Sequence, residues 1–188
     1  MDKDKMLKII QKNRKGYFPL PKSYNAQKKG INAPDFFKQM LQDVGGVCFE
    51  VNGRKEFDEH IISHFSGAID FMRKESWDKY PPECPNEKLF DLKTIVLEGQ
   101  FGVAENGAIW IDDSNFPNRL VPFVCEELII CLDEKNILED MHEAYNKIIN
   151  NKVGFGVFIS GPSKTADIEQ NLVLGAQASK RLIVFLIK

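Results

Sequence analysis

The stretch Ser160-Gly161-Pro162-Ser163-Lys164-Thr165-Ala166-Asp167 combines residue types that can do chemistry with a spacing that can position them. An apolar run stops at a glycine and a proline, and hydroxyl groups and a lysine follow where a helix is predicted to begin. If Ser163 or Thr165 is the N-cap, its hydroxyl satisfies an orphan amide, and Asp167 and Glu169 fall in or near the first turn, opposite the positive end of the helix. The same geometry can receive an anion, because backbone N–H groups point outward and Lys164 adds a positive charge. A nucleotide-binding P-loop does not fit, since that motif needs a longer glycine-rich loop before its lysine. Gly161, Pro162, Ser163, Lys164, Thr165 and Asp167, together with Gly107 upstream, are therefore candidate ligand-binding residues for a small carboxylate or phosphate group. A capped structural turn is the other reading these residues allow.

A second candidate is Gly102-Val103-Ala104-Glu105-Asn106-Gly107 and the apolar residues after it. Asn106-Gly107 between apolar stretches signals a two-residue hairpin. Glu105 is then a carboxylate held beside a tight turn, a candidate catalytic base or nucleophile if burial raises its pKa. His60 and His64 lie four apart and can share a helix face, but no HExxH glutamate accompanies them, so they read as solvated helix histidines. The four cysteines form no CxxC pair, so no metal site or iron–sulfur cluster is expected in this chain. Cys48, Cys125 and Cys131 lie in apolar runs and read as small buried hydrophobes.

The elements that must position these groups follow from periodicity. Residues 2–14 carry Met6, Leu7, Ile9 and Ile10 on one helical stripe, and prolines end it, giving a docking helix and a peripheral arm over residues 1–30. A single α/β domain is expected over residues 31–188. Within it, Pro34 and Asp35 open a helix that Gly45 and Gly46 close, and a strand follows at 46–51. Phe57, Ile61, Phe65, Ile69 and Met72 predict a helix over 55–74, and the proline-rich stretch 75–88 reads as a loop separating two halves. Short apolar runs then alternate with helical segments near 136–150 and 164–175. The strands at 154–160 and 182–187, flanking the second of these helices, read as a βαβ unit with parallel strands. Alternation of this kind implies a layered α/β sheet with the N-terminal helices packed on it. In such sheets ligands bind beyond the carboxyl ends of the strands, where residues 160–167 are expected.

Composition narrows the partners. With 43% hydrophobic and 28% charged residues the chain reads as a globular protein. A net charge of -2 supplies no basic field for nucleic acid, and the early lysines are interrupted by aspartates. No stretch approaches the roughly 18 apolar residues of a membrane span, and the charged opening lacks the apolar core of an export signal. The expected location is the cytoplasm, with no membrane or nucleic-acid partner.

The segment from Phe158 to Ile187, and above all Gly161-Pro162-Ser163-Lys164-Thr165-Ala166-Asp167-Ile168-Glu169, resembles the C-terminal signature of the lactate-utilisation protein C family, whose module is the LUD domain. Ala104-Glu105-Asn106-Gly107 is similar to a second segment of that family. Gln177 stands where many relatives have a histidine, and Ala178-Ser179-Lys180 replaces a glycine, proline and arginine. The resemblance implies a three-layer NagB/RpiA/CoA-transferase-like fold with a largely parallel central sheet. It also implies a role in L-lactate oxidation, with this chain a non-redox, ligand-binding subunit beside iron–sulfur and cysteine-rich partner subunits that carry the clusters. The wider superfamily includes CoA transferases with a catalytic glutamate in Glu-x-Gly-x-x-Gly. Glu105 and Gly107 match its first half, whereas Trp110 occupies the second glycine. A stand-alone acyl or CoA transferase, or a hydrolase, using Glu105 is thus the alternative, and whether the chain catalyses anything alone stays open.

Overall fold

The computed structural model describes residues 2–13, 32–149, 154–168, 171–175 and 178–188. Helix α1, Lys3–Lys12, leaves Met6, Leu7, Ile9 and Ile10 exposed, and the arm after it lies outside the described residues. Then come α2 (Ala33–Asp43), β1 (Val47–Val51), α3 (Arg54–His64), β2 (Ile69–Asp70), α4 (Lys74–Lys79), α5 (Asn86–Phe90) and β3 (Thr94–Glu98). A hairpin of β4 (Phe101–Val103) and β5 (Ala108–Asp112) precedes α6 (Val121–Val124) and β6 (Glu127–Asp133). The chain closes with β7 (Ile137–Leu138), α7 (Met141–Ile148), β8 (Gly156–Ile159), β9 (Lys164–Ile168), β10 (Asn171–Leu174) and β11 (Arg181–Ile187).

Five strands form the central sheet in the order β1-β11-β6-β3-β2, all parallel. Leu128 to Leu132 and Leu182 to Leu186 are buried without a break, as expected where both faces of a parallel sheet are covered. On one face Val96, Ile129, Cys131, Ile183 and Phe185 pack with Phe57 and Ile61 of α3. On the other, Ile95, Leu97, Ile130 and Val184 pack with Phe37 and Leu41 of α2 and with Ile109 and Ile111 of β5. These two strand-β5 residues belong to a second, four-stranded sheet in the order β7-β4-β5-β8. Its far face, with Phe101, Val103 and Trp110, is covered by Ala144 and Ile148 of α7.

Several elements depart from the expectation. The segment predicted as a helix over 164–175 is an antiparallel pair, β9 with β10. Thr165, Ile168 and Val173 are β-branched and lose side-chain freedom in a helix, so the local preference for helix was never strong. The βαβ unit is absent too, because β8 pairs antiparallel with β5 while β11 lies in the parallel sheet. The helix over 55–74 ends at His64, and Ile69 is in a strand. Its spacing continued past the helix because Phe65 and Met72 still pack against the same cluster as Phe57 and Ile61. The helix over 136–150 is shortened to α7, behind a single 3₁₀ turn and β7. The proline-rich stretch holds most of α4 and part of α5 and does not divide the molecule, since Tyr80 and Cys84 within it are buried in the main core.

Candidate functional site

The signature loop between β8 and β9 packs on the C-terminus of α2. Gly161 has φ +75°, and a Cβ there would stand 2.6 Å from the carbonyl oxygen of Val44, the C-cap of α2. Pro162 lies beside Gly45, and the Lys164 ammonium donates to the Val44 carbonyl at 2.6 Å. The four-residue turn 104–107 closes the β4–β5 hairpin on the same helix. Its Gly107 has φ +64°, and a Cβ would stand 2.6 Å from the backbone nitrogen of Leu41. The two loops are tied by Ser160, whose hydroxyl donates to the Asn106 carbonyl at 2.8 Å.

Gly161, Pro162, Lys164 and Gly107 are thus brought together, but at the opposite helix end from the one expected. No helix begins at Ser163 or Thr165, so neither is an N-cap; the backbone of Thr165 and Asp167 belongs to β9. The nearby helix end is the carbonyl end of α2, which carries partial negative charge and attracts the Lys164 ammonium. Ser163 uses its backbone: its N–H donates to Ser179 O at 2.9 Å and its carbonyl accepts from Gly175 N at 3.0 Å.

Glu105 is exposed rather than buried. Its carboxylate accepts from the Met141 amide at 3.0 Å, in the first turn of α7, and its own N–H donates to Glu139 O at 3.1 Å. Asp140, the N-cap, accepts from Glu143 N at 2.9 Å, so two carboxylates serve the orphan amides of that helix end. Trp110, in the place of the motif's second glycine, is buried between Phe101 and Phe158, with ring centroids 6.3 and 4.8 Å away.

A cleft of about 570 Å³ opens at the other side of the signature. Lys93, Glu126 and Lys180 line it, each immediately before the first residue of β3, β6 and β11. It therefore sits at the amino edge of the parallel sheet. Residues 160–164 do follow the carboxyl end of a strand, but that strand, β8, belongs to the second sheet. Gly175 and Ala178 also line the cleft, so the Ser163–Gly175 and Ser163–Ser179 backbone bonds join the signature loop to the cleft wall. Gln177 lies outside the described residues. Sequence reasoning missed the cleft because its walls come from residues 90–93, from Leu120 and residues 123–126, and from Gly175, Ala178 and Lys180, three segments with no shared motif.

Cys125 lines the cleft, and burial pushes its thiol up to about 12. Burial likewise raises Cys48 and Cys131, each to about 11. Protonated thiols are weak nucleophiles and weak metal ligands. Cys48 is only half-buried, whereas Cys125 and Cys131 are core residues. His60 and His64 do share a face, with rings stacked at 4.4 Å. Among the described residues no three histidine, cysteine or acidic side chains are grouped to hold a metal, and no helix is long and apolar enough to cross a membrane.

The family model of the LUD domain matches residues 45–187. The chain belongs to the LUD domain family. It is 26% identical over 168 residues to lactate utilization protein C of Bacillus pumilus, covering 82% of this chain and 68% of that protein. An uncharacterised protein of Neisseria meningitidis serogroup B is 32% identical over 91 residues, 47% of this chain and 39% of its own length. The fold of this LUD domain is similar to the crystal structure of a DUF162 family protein from Deinococcus radiodurans, with a TM-score of 0.61 at 13% identity. That alignment covers 83% of this chain and 96% of the other. The matched span contains both the signature loop and the residues that line the cleft.

Proposed function

We propose that this LUD domain works in lactate utilisation as a non-redox subunit, associating with iron–sulfur and cysteine-rich partners and binding a small carboxylate or phosphate ligand. The observation that carries the proposal is the similarity to lactate utilization protein C across 82% of the chain. The cysteine chemistry agrees with the non-redox role: Cys125 and Cys131 are buried, and burial raises both thiols, which disfavours thiolate ligation of a cluster. The stand-alone transferase reading has less support, because the Glu105 carboxylate is engaged at the start of α7 and the Trp110 indole fills the glycine position.

Co-expression with iron–sulfur and cysteine-rich lactate-utilisation subunits tests the proposal. The tagged chain should carry those subunits through two purification steps, and alone it should be colourless and inert toward L-lactate. Lactate oxidation by the isolated chain would overturn it. A covalent adduct on Glu105 formed from acyl-CoA, and lost in Glu105→Gln, would establish the transferase reading instead.

A further inference from the structure

We infer that the cleft at the amino edge of the parallel sheet binds an organic monocarboxylate with an apolar body, and that Lys93 is its counter-ion. The volume, about 570 Å³, lies within the usual range of small-molecule pockets, roughly 300–1,000 Å³. The interior is apolar, with Leu92 and Cys125 buried and Phe123 and Val124 partly so. At the lip Phe90 is 64% exposed and Leu120 37%, large apolar groups gathered around a concavity, the pattern of a binding surface.

The charges select the ligand's head group. Four charged residues line the cleft: Asp91, Lys93, Glu126 and Lys180. Lys180 is paired with Glu126 at 3.2 Å, and its stem packs so closely on Gly175 that a Cβ there would stand 2.2 Å from Lys180 Cγ. Among the described residues no carboxylate lies within ion-pair distance of Lys93. Its backbone is nevertheless fixed, because its carbonyl accepts from the amides of Glu126 and Glu127 at 2.8 and 2.9 Å. Lys93 is therefore an anchored cation lining the cleft, with no ion-pair partner among the described residues. With Glu126 offset by Lys180, Lys93 and Asp91 leave the lining without a net positive charge, which disfavours a second negative charge on the ligand and favours a monoanion over phosphate or a dicarboxylate.

The inference does not depend on the partner subunits, and its test uses the full chain alone, so its failure would leave the co-purification result standing. Titration calorimetry with hexanoate, 1-hexanol and inorganic phosphate should give binding by hexanoate and at least tenfold weaker binding by the other two. Lys93→Met should weaken hexanoate about tenfold, the effect of one charge-assisted hydrogen bond, while moving the ligand-free thermal midpoint by no more than about 2 °C. Val124→Trp, which fills the cleft, should abolish binding; if that variant does not fold, the Lys93→Met comparison decides. No hexanoate binding, equal affinity for phosphate, or hexanoate affinity unchanged in Lys93→Met would overturn the inference.

Discussion

Substituting Gly107 separates two physical costs that meet where the β4–β5 turn rests on α2. Its φ of +64° is left-handed, which costs an L side chain roughly 1–2 kcal/mol. A Cβ would also stand 2.6 Å from Leu41 N, 2.8 Å from Leu41 Cα and 2.9 Å from Met40 C, all helix backbone. That helix cannot retreat freely, because Phe37 and Leu41 on it are fully buried against the parallel sheet. Forced overpacking of this kind costs typically about 1–3 kcal/mol. Gly107→Ala is therefore expected to lose about 2–5 kcal/mol in urea unfolding followed by circular dichroism. Gly107→Asn relieves most of the backbone cost, since asparagine visits the left-handed region, but it keeps the Cβ. It should still lose about 1–3 kcal/mol, and each kcal/mol lowers the midpoint of a chain this size by about 2–4 °C. If the asparagine variant lies within about 0.5 kcal/mol of wild type, the turn is not docked on α2 as described. The consequence reaches the candidate site, because the same turn carries Glu105 to the α7 amides and Asn106 to Ser160.

Two further perturbations test the electrostatics around α2. Lys164→Met removes a charge-assisted hydrogen bond to the helix C-terminus, and because the lysine is exposed the loss should be only about 0.5–1 kcal/mol in the same urea assay; no loss at all would refute the capping role. Lys38 bridges Asp35 and Glu50 at 2.7 Å each, and its hydrogen bonds hold both carboxyls below the usual carboxylate range. Groups whose folded pKa is depressed contribute stability above their unfolded pKa and lose it as pH falls through the folded value. The stability gap between wild type and Lys38→Met should therefore be full at neutral pH and close on acidification, and a gap that widens in acid would contradict the pairing.

What was legible in the sequence was what local order determines. The strands β3, β6 and β11 stand out as unbroken apolar runs because both of their faces are covered. Helix α2 is bracketed by Pro34 and Gly45, residues whose backbone preferences act without reference to the rest of the molecule. Partner choice is a different matter. Nothing in Gly156–Ile159 says that it pairs with β5 rather than with β11, so the second sheet was not readable, and the helix expected between them was a two-stranded hairpin. The same limit applies to Glu105. Its neighbours in sequence are apolar, which suggested burial, yet the turn directs it outward to the first turn of α7. The cleft could not be read at all, because Lys93, Val124 and Lys180 become neighbours only once β3, β6 and β11 are aligned in register.

The specificity of the signature and the position of the cleft together suggest a division of labour. Gly161 and Lys164 secure α2, Ser160 secures the β4–β5 turn, and Ser163 secures Gly175 and Ser179, so one short loop joins elements of both sheets. Each of those contacts is a backbone approach or a hydrogen bond to a carbonyl. On the far side of Ser163 stand Ala178 and Lys180, where the wall of the cleft begins. Ala178-Ser179-Lys180, where the sequence departs from the residues the resemblance implied, thus lies next to the cleft, at the far end of the Ser163–Ser179 bond that ties it to the signature loop. Ala178 and Lys180 line the inferred cleft, so exchanging them for a glycine and an arginine should change hexanoate affinity in the same calorimetric titration and leave the fold intact, and an unchanged affinity would count against the cleft.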